Sequence, residues 1–182
     1  MPAYNPLIKG PSFERRPIKV ICVGAGFSSI HLAARIRQYA PNVELLVIEK
    51  QDQLGGVWNA QRYPGVASDV PSHAYTLSWA PNPEWSRYYA NGSEIQDYLL
   101  KCADMVHFRD NLRLSTSVDE ATWDQQSGLW SVVLVDEKTG AKTTETANIL
   151  ISATGANSVP KSECRISMAF SDPPLKIVHF FA

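Results

Sequence analysis

The stretch from Ile18 to Glu49 constrains this chain most, because it reads as one strand–turn–helix–strand unit shaped to hold a dinucleotide. Ile18-Lys19-Val20-Ile21-Cys22-Val23 is a short, mostly apolar run of the kind that forms a buried parallel strand. It leads into Gly24-Ala25-Gly26-Phe27-Ser28-Ser29. Ile30, Ala33, Ala34, Ile36 and Arg37 then follow at helical spacing. Val43-Glu44-Leu45-Leu46-Val47-Ile48-Glu49 supplies a second apolar strand closed by an acid. Gly24 permits a turn that a Cβ would block, and Gly26 lets the backbone approach a pyrophosphate. Free N–H groups and the positive dipole at the helix start suit its negative charge. Glu49 stands where such folds place an acid on a ribose hydroxyl. Ser29 takes the third small position, where Gly or Ala is usual.

With 182 residues the chain can bury the core of one ordinary domain. Its 17 basic and 18 acidic residues form no run or stripe, which argues against nucleic acid and anionic membrane as partners. No apolar stretch approaches the length of a membrane span, and the proline-rich residues 1–17 read as a flexible arm rather than a secretory signal. Cys22, Cys102 and Cys164 lie far apart, with no metal-ligand spacing. Cys22 in the first strand and Cys102 on an apolar helix face read as small core residues. A reducing, cytoplasmic setting is expected.

After Glu49, the segment from Gln53 to Tyr75 is rich in Gly, Pro and aromatics and keeps neither period, so it reads as a long ordered loop. A helix is expected from about Glu94 to Val106. Ser93 with Gln96 fits a capping box, and Ile95, Tyr98, Leu99, Cys102, Ala103 and Val106 form its apolar stripe. Ser117–Asp124, Leu129–Val135 and Thr143–Asn148 read as an antiparallel meander. It leads to Ile149-Leu150-Ile151-Ser152-Ala153-Thr154-Gly155, a buried parallel strand ending in small residues. In open α/β folds such strand ends lie where ligands bind.

These pieces in this order resemble the N-terminal FAD-binding part of flavin-dependent monooxygenases, above all the Baeyer–Villiger type in its fungal form. The resemblance covers about Ile18 to Pro160. It rests on Val23-Gly24-Ala25-Gly26-Phe27-Ser28, Leu54-Gly55-Gly56-Val57-Trp58, Arg62-Tyr63-Pro64-Gly65-Val66-Ala67-Ser68-Asp69, Asn82-Pro83-Glu84-Trp85-Ser86 and Ile151-Ser152-Ala153-Thr154-Gly155. It implies an α/β fold: a Rossmann-like, glutathione-reductase-like FAD domain over residues 18–160, with a parallel sheet and an antiparallel meander. The resemblance also implies that Gly24, Gly26 and Ser28 contact the FAD pyrophosphate and Glu49 the adenosine ribose. Gly56, Val57 and Trp58 would line the cofactor, with Asp69 and Tyr75 near the flavin. Val118 would meet the adenine through its backbone, and Ala153, Thr154 and Gly155 would pass beneath the dinucleotide. Asp69 is the catalytic candidate: in the family an acid there positions an arginine beside the flavin. Its alternative reading is an Asx-turn or helix cap in a proline-rich loop.

The family is well over twice this length. Its second glycine-rich turn for NADPH, its Phe-Gly-His-Trp fingerprint and its active-site arginine do not occur in these residues. Residues 161–182 read as a divergent tail, the mark of a frameshift, a retained intron or a natural short form, and His179 reads as incidental. Three readings stay open. The first is part of an oxygenase acting on a ketone, in secondary metabolism, that cannot turn over alone unless a partner chain supplies the missing half. The second is a non-catalytic remnant that at most binds FAD. The third is an NAD-dependent dehydrogenase fragment, against which the loop from Trp58 to Tyr75 speaks. Gly55-Gly56-Val57-Trp58-Asn59 holds no cysteine, so the dithiol chemistry of related reductases is excluded.

Overall fold

In a computed structural model of the chain, residues 16–156 are described, together with the backbone of the short strands Arg165–Ser167 and Ile177–His179. The apolar runs become β1 (Ile18–Val23), β2 (Val43–Ile48) and β7 (Ile149–Ser152), with α1 (Phe27–Tyr39) joining the first pair. Leu112–Arg113 forms β3, and Ile177–His179 forms β9. These strands make a parallel sheet in the order β3-β2-β1-β7-β9. β1 is hydrogen-bonded on both sides, from Ile18↔Val43 to Val23↔Ile48 and from Val20↔Ile149 to Val23↔Ser152.

The period of two decides which side chain enters which layer. Val20, Cys22, Leu45, Val47 and Ile151 face a core shared with α1 and with α3 (Gly92–Met105). Ile21, Ile48 and Leu150 face the opposite way, against Ala121, Trp130, Val132, Leu134 and Ala147. Those partners belong to the meander β4 (Thr116–Asp124), β5 (Leu129–Asp136) and β6 (Lys142–Ala147), which β8 (Arg165–Ser167) extends at the β4 edge. The parallel sheet is therefore covered by helices on one face and by a second sheet on the other. This three-layer arrangement explains why its strands are apolar almost throughout.

The expected helix exists, one to two residues displaced at each end, and Ile95, Tyr98, Leu99, Cys102 and Ala103 of its stripe are buried. The expected capping box does not form. Asn91 is the N-cap and makes no side-chain cap bond, so Ser93 lies inside the helix. The Gln96 amide instead donates to the carbonyl of Leu54 at 2.7 Å, because tertiary packing claims the side chain first. In the meander both turns are tied by an aspartate at the strand end. Asp124 accepts from the N–H of Gln126, and Asp136 from those of Lys138 and Thr139. Residues 1–15 of the predicted arm, and Cys164 in the predicted tail, lie outside the described residues.

Glu145 on β6 ties the layers together: it meets Lys19 Nζ of β1 at 2.8 Å and Arg113 Nη2 of β3 at 2.9 Å. These two cations, Lys19 foremost, hold the Glu145 carboxyl below its ordinary value of 4.5. A depressed folded pKa gives stability that is present above the unfolded value and lost as pH falls through the folded one. Glu145→Gln is expected to flatten the loss of stability on acidification below about pH 4.5 and to cost about 1 kcal/mol at neutral pH. Urea unfolding of both proteins from pH 3 to 7 reads this out directly.

Candidate functional site

The site is built from the first turn upward. Gly24 follows β1 at a φ of 105°, and its N–H donates to the carbonyl of Ile48 at 2.8 Å. A Cβ there would overlap the carbonyl oxygen of Ala153, so only glycine lets the end of β7 close onto the turn. The Ala153 N–H completes this closure on Val23 O at 2.8 Å. Gly26 is the N-cap of α1, with no side-chain cap and no acid in the first turn. The first N–H groups of α1 consequently have no intrahelical acceptor, and they stand at the positive end of the helix dipole. Ser29 is fully buried and its Oγ donates to Gly26 O at 3.0 Å, so serine at the third small position packs closely and also braces the turn.

Glu49 follows β2 and is buried, turned back onto the glycine turn. Its Oε2 accepts from the Ala25 N–H at 2.8 Å and its Oε1 from the Gln51 N–H at 2.9 Å. A carboxylate has about four acceptor positions, so both oxygens keep capacity for hydroxyl donors. The second glycine pair lies against the first. Gly55 N–H donates to Ala25 O at 2.8 Å, and a Cβ on Gly56 would stand 3.1 Å from the Gly26 Cα. Val57 and Trp58 open the short helix α2 (Val57–Ala60), with Val57 exposed. Trp58 Nε1–H donates to Tyr75 Oη at 3.1 Å, and Phe27 sits on the other side of Tyr75 with ring centroids 4.6 Å apart.

Burial raises the Tyr75 phenol above its ordinary value; the Trp58 bond opposes this and the Asp69 charge adds to it. Tyr75 thus keeps its proton at neutral pH, with its oxygen already accepting from Trp58. Asp69 is exposed, and its carboxylate makes no hydrogen bond among the described residues. The local turn belongs to Ser68, whose Oγ accepts from the Val70 N–H at 3.2 Å and donates to Val70 O at 2.8 Å. The Asx-turn reading of Asp69 is therefore not realised.

β4 begins beside Glu49, because the Thr116 N–H donates to Glu49 O at 2.9 Å. Val118, half-buried, follows two residues later at a bulge that shifts the register before Glu120. Thr154 and Gly155 are exposed just beyond β7. No group of three or more metal-ligating side chains exists among the described residues. Cys22 and Cys102 are buried, and burial pushes the Cys22 thiol up to about 12, which makes it an inert core group.

Residues 22–91 match the family model of an NAD(P)-binding Rossmann-like domain. The chain is 39% identical over 151 residues to the FAD-binding monooxygenase stcW of Emericella nidulans, a match that covers 81% of this chain and 25% of that protein. A Baeyer-Villiger monooxygenase of Streptomyces coelicolor is 37% identical, with 79% of this chain and 26% of that protein covered. The crystal structure of OTEMO in complex with FAD and NADP has a TM-score of 0.70 at 32% identity, covering 81% of this chain and 27% of the other. Over about four fifths of its length this chain is homologous to flavin-dependent monooxygenases of the Baeyer–Villiger type. It spans about a quarter of the length of the curated relatives it matches.

The structure brings Gly24, Gly26, Ser28, Glu49, Gly56 and Ala153 to one carboxyl-end edge of the parallel sheet. Trp58, Tyr75 and Asp69 form a second group, joined to the first through Phe27 at the start of α1. Sequence reasoning missed Phe27, Gln51 and Gln96. Phe27 carries a detectable signal, a large aromatic directly after a glycine turn. The other two act through a backbone N–H and a distant carbonyl, which no motif records.

Proposed function

We propose that this chain is the FAD-binding part of a Baeyer–Villiger-type monooxygenase that inserts oxygen into a ketone. The observation that carries the reading is Glu49, buried and folded back onto the first glycine turn beside an uncapped helix start. This places hydroxyl-accepting and phosphate-accepting groups side by side, as an adenosine diphosphate moiety requires. Gly24, Gly26 and Gly56 make a cradle that Cβ atoms would crowd or fill, so the residues present fit the group. Gly26 and Ser28 at the α1 start would hold the pyrophosphate, Glu49 the ribose, and the Val118 backbone the adenine. Ala153, Thr154 and Gly155 would form the floor.

Bound FAD would supply the electron transfer and oxygen activation of the family reaction. The chain's own part is to bind, orient and shield. Phe27, Trp58 and Tyr75 exclude water from one wall, and Tyr75 Oη holds a proton at neutral pH. Asp69 offers a carboxylate with no hydrogen bond among the described residues, which can hold a cation near Tyr75.

The purified 182-residue chain is expected to take up FAD weakly and to leave NADPH unoxidised, since these residues hold no glycine-rich turn of the kind that binds NADPH in the family. Titration to about 100 µM FAD, where a site worth only about 5.5 kcal/mol is half filled, checks the first part through the shifted flavin absorbance. Absence of any shift there overturns the FAD reading and leaves a non-binding remnant; uptake of NAD in its place points to a dehydrogenase fragment. Robust NADPH-dependent lactone formation by the isolated chain overturns the second part.

A further inference from the structure

The second glycine turn is held from behind by one side chain of α3. Gln96 Nε2 donates to the carbonyl of Leu54 at 2.7 Å, immediately before Gly55. Its Oε1 is buried and accepts no hydrogen bond among the described residues. That oxygen lies along the direction a Cβ would take from Gly55, so a side chain there would overlap the Gln96 amide. A glycine hydrogen points along the same line, the geometry of a weak Cα–H···O contact. Gln96 thus meets the turn at two successive residues, and its amide fills the place of a Cβ at position 55, where a φ of 126° already favours glycine. On its other side the turn is anchored by the Gly55 N–H on Ala25 O, which transmits its placement to the first glycine turn.

An unpaired buried amide oxygen is costly, and leucine or methionine of similar size would fill the space without that cost. We infer that Gln96 is a positioning residue for the cofactor cradle, fixing the Gly55–Gly56 turn against Gly26 so that the crevice has its binding shape before the dinucleotide enters. This rests on the FAD reading above. The residue touches the turn rather than the cofactor, so its effect is on affinity and on the flavin environment.

Two variants of the full chain test it by FAD titration at pH 5.5 and pH 8, with circular dichroism as the check on folding. Gln96→Met removes the Leu54 bond with little change of volume. It is expected to weaken FAD binding about 5- to 10-fold at both pH values, the loss of one buried hydrogen bond, and to alter the bound-flavin spectrum. Gln96→Glu puts a carboxyl in a buried place facing a carbonyl, which raises its pKa above the usual carboxylate range; it can donate to Leu54 O when protonated and cannot when ionised, so its affinity relative to the parent should recover towards pH 5.5 and fall at pH 8. Should the Met variant fail to fold, Gln96→Leu, of similar size and equally without the Leu54 bond, takes its place. If the parent binds FAD and the Met variant matches it in affinity and spectrum, Gln96 is mere packing and this inference fails while the FAD reading stands. Weakening by Glu alone would show simple repulsion of the cofactor phosphates, which also overturns it. A parent that takes up no FAD overturns both.

Discussion

Gly24→Ala is expected to lower the unfolding free energy by about 4 kcal/mol and to abolish measurable FAD uptake. Two independent effects add. A φ of 105° is strained for any residue with a Cβ, at about 1–3 kcal/mol. The new methyl would also overlap the Ala153 carbonyl, and relief requires β7 to shift against β1, an overpacking cost of about 1–3 kcal/mol. The neighbour is backbone at the end of β7, tied to β1 through the Ala153 N–H on Val23 O, and cannot rotate away. For a chain of this size each kcal/mol lowers Tm by roughly 2–4 °C, so a fall of roughly 8–16 °C is expected. A variant within about 2 °C of the parent would mean that the β7 end does not close on the turn.

Glu49→Ala comes next, with an expected loss of about 3 kcal/mol and at least a tenfold weaker affinity for FAD. The truncation leaves the Ala25 and Gln51 N–H groups without their acceptor in a buried place. An abandoned buried donor costs about 1–3 kcal/mol, and these two bonds are charge-assisted. Glu49→Gln should fall between parent and alanine, since its one amide oxygen can serve only one of the two donors. Combined thermal melting and FAD titration separate the two roles. Reduced stability with unchanged FAD affinity would make Glu49 a brace of the glycine turn alone.

The relatives and the structure agree on how legible the fold was. The continuous apolar runs of β1, β2 and β7, with glycines at the first turn, predict buried parallel strands, and these are the strands observed. The meander was equally readable, its strands ending within about a residue of the observed ones. The two-residue strand β3 was not, because pairing beside β2 forms it rather than any periodicity of its own. Gln96 shows the converse failure. Its spacing from Ser93 satisfied a local rule, yet a carbonyl far away in the chain took the amide.

The chain alone determined that a glycine turn opens at Gly24 after one apolar strand and that an acid closes the next, because glycine spacing and apolar runs are local properties of consecutive residues. Only the packed molecule decided that Glu49 turns inward onto two backbone donors. It likewise decided that Asp69 stands near a Trp58–Tyr75 pair with no hydrogen bond among the described residues, and that α3 braces the second glycine turn. Those outcomes depend on competition for hydrogen bonds between segments distant in sequence, and that competition is resolved only when the layers close.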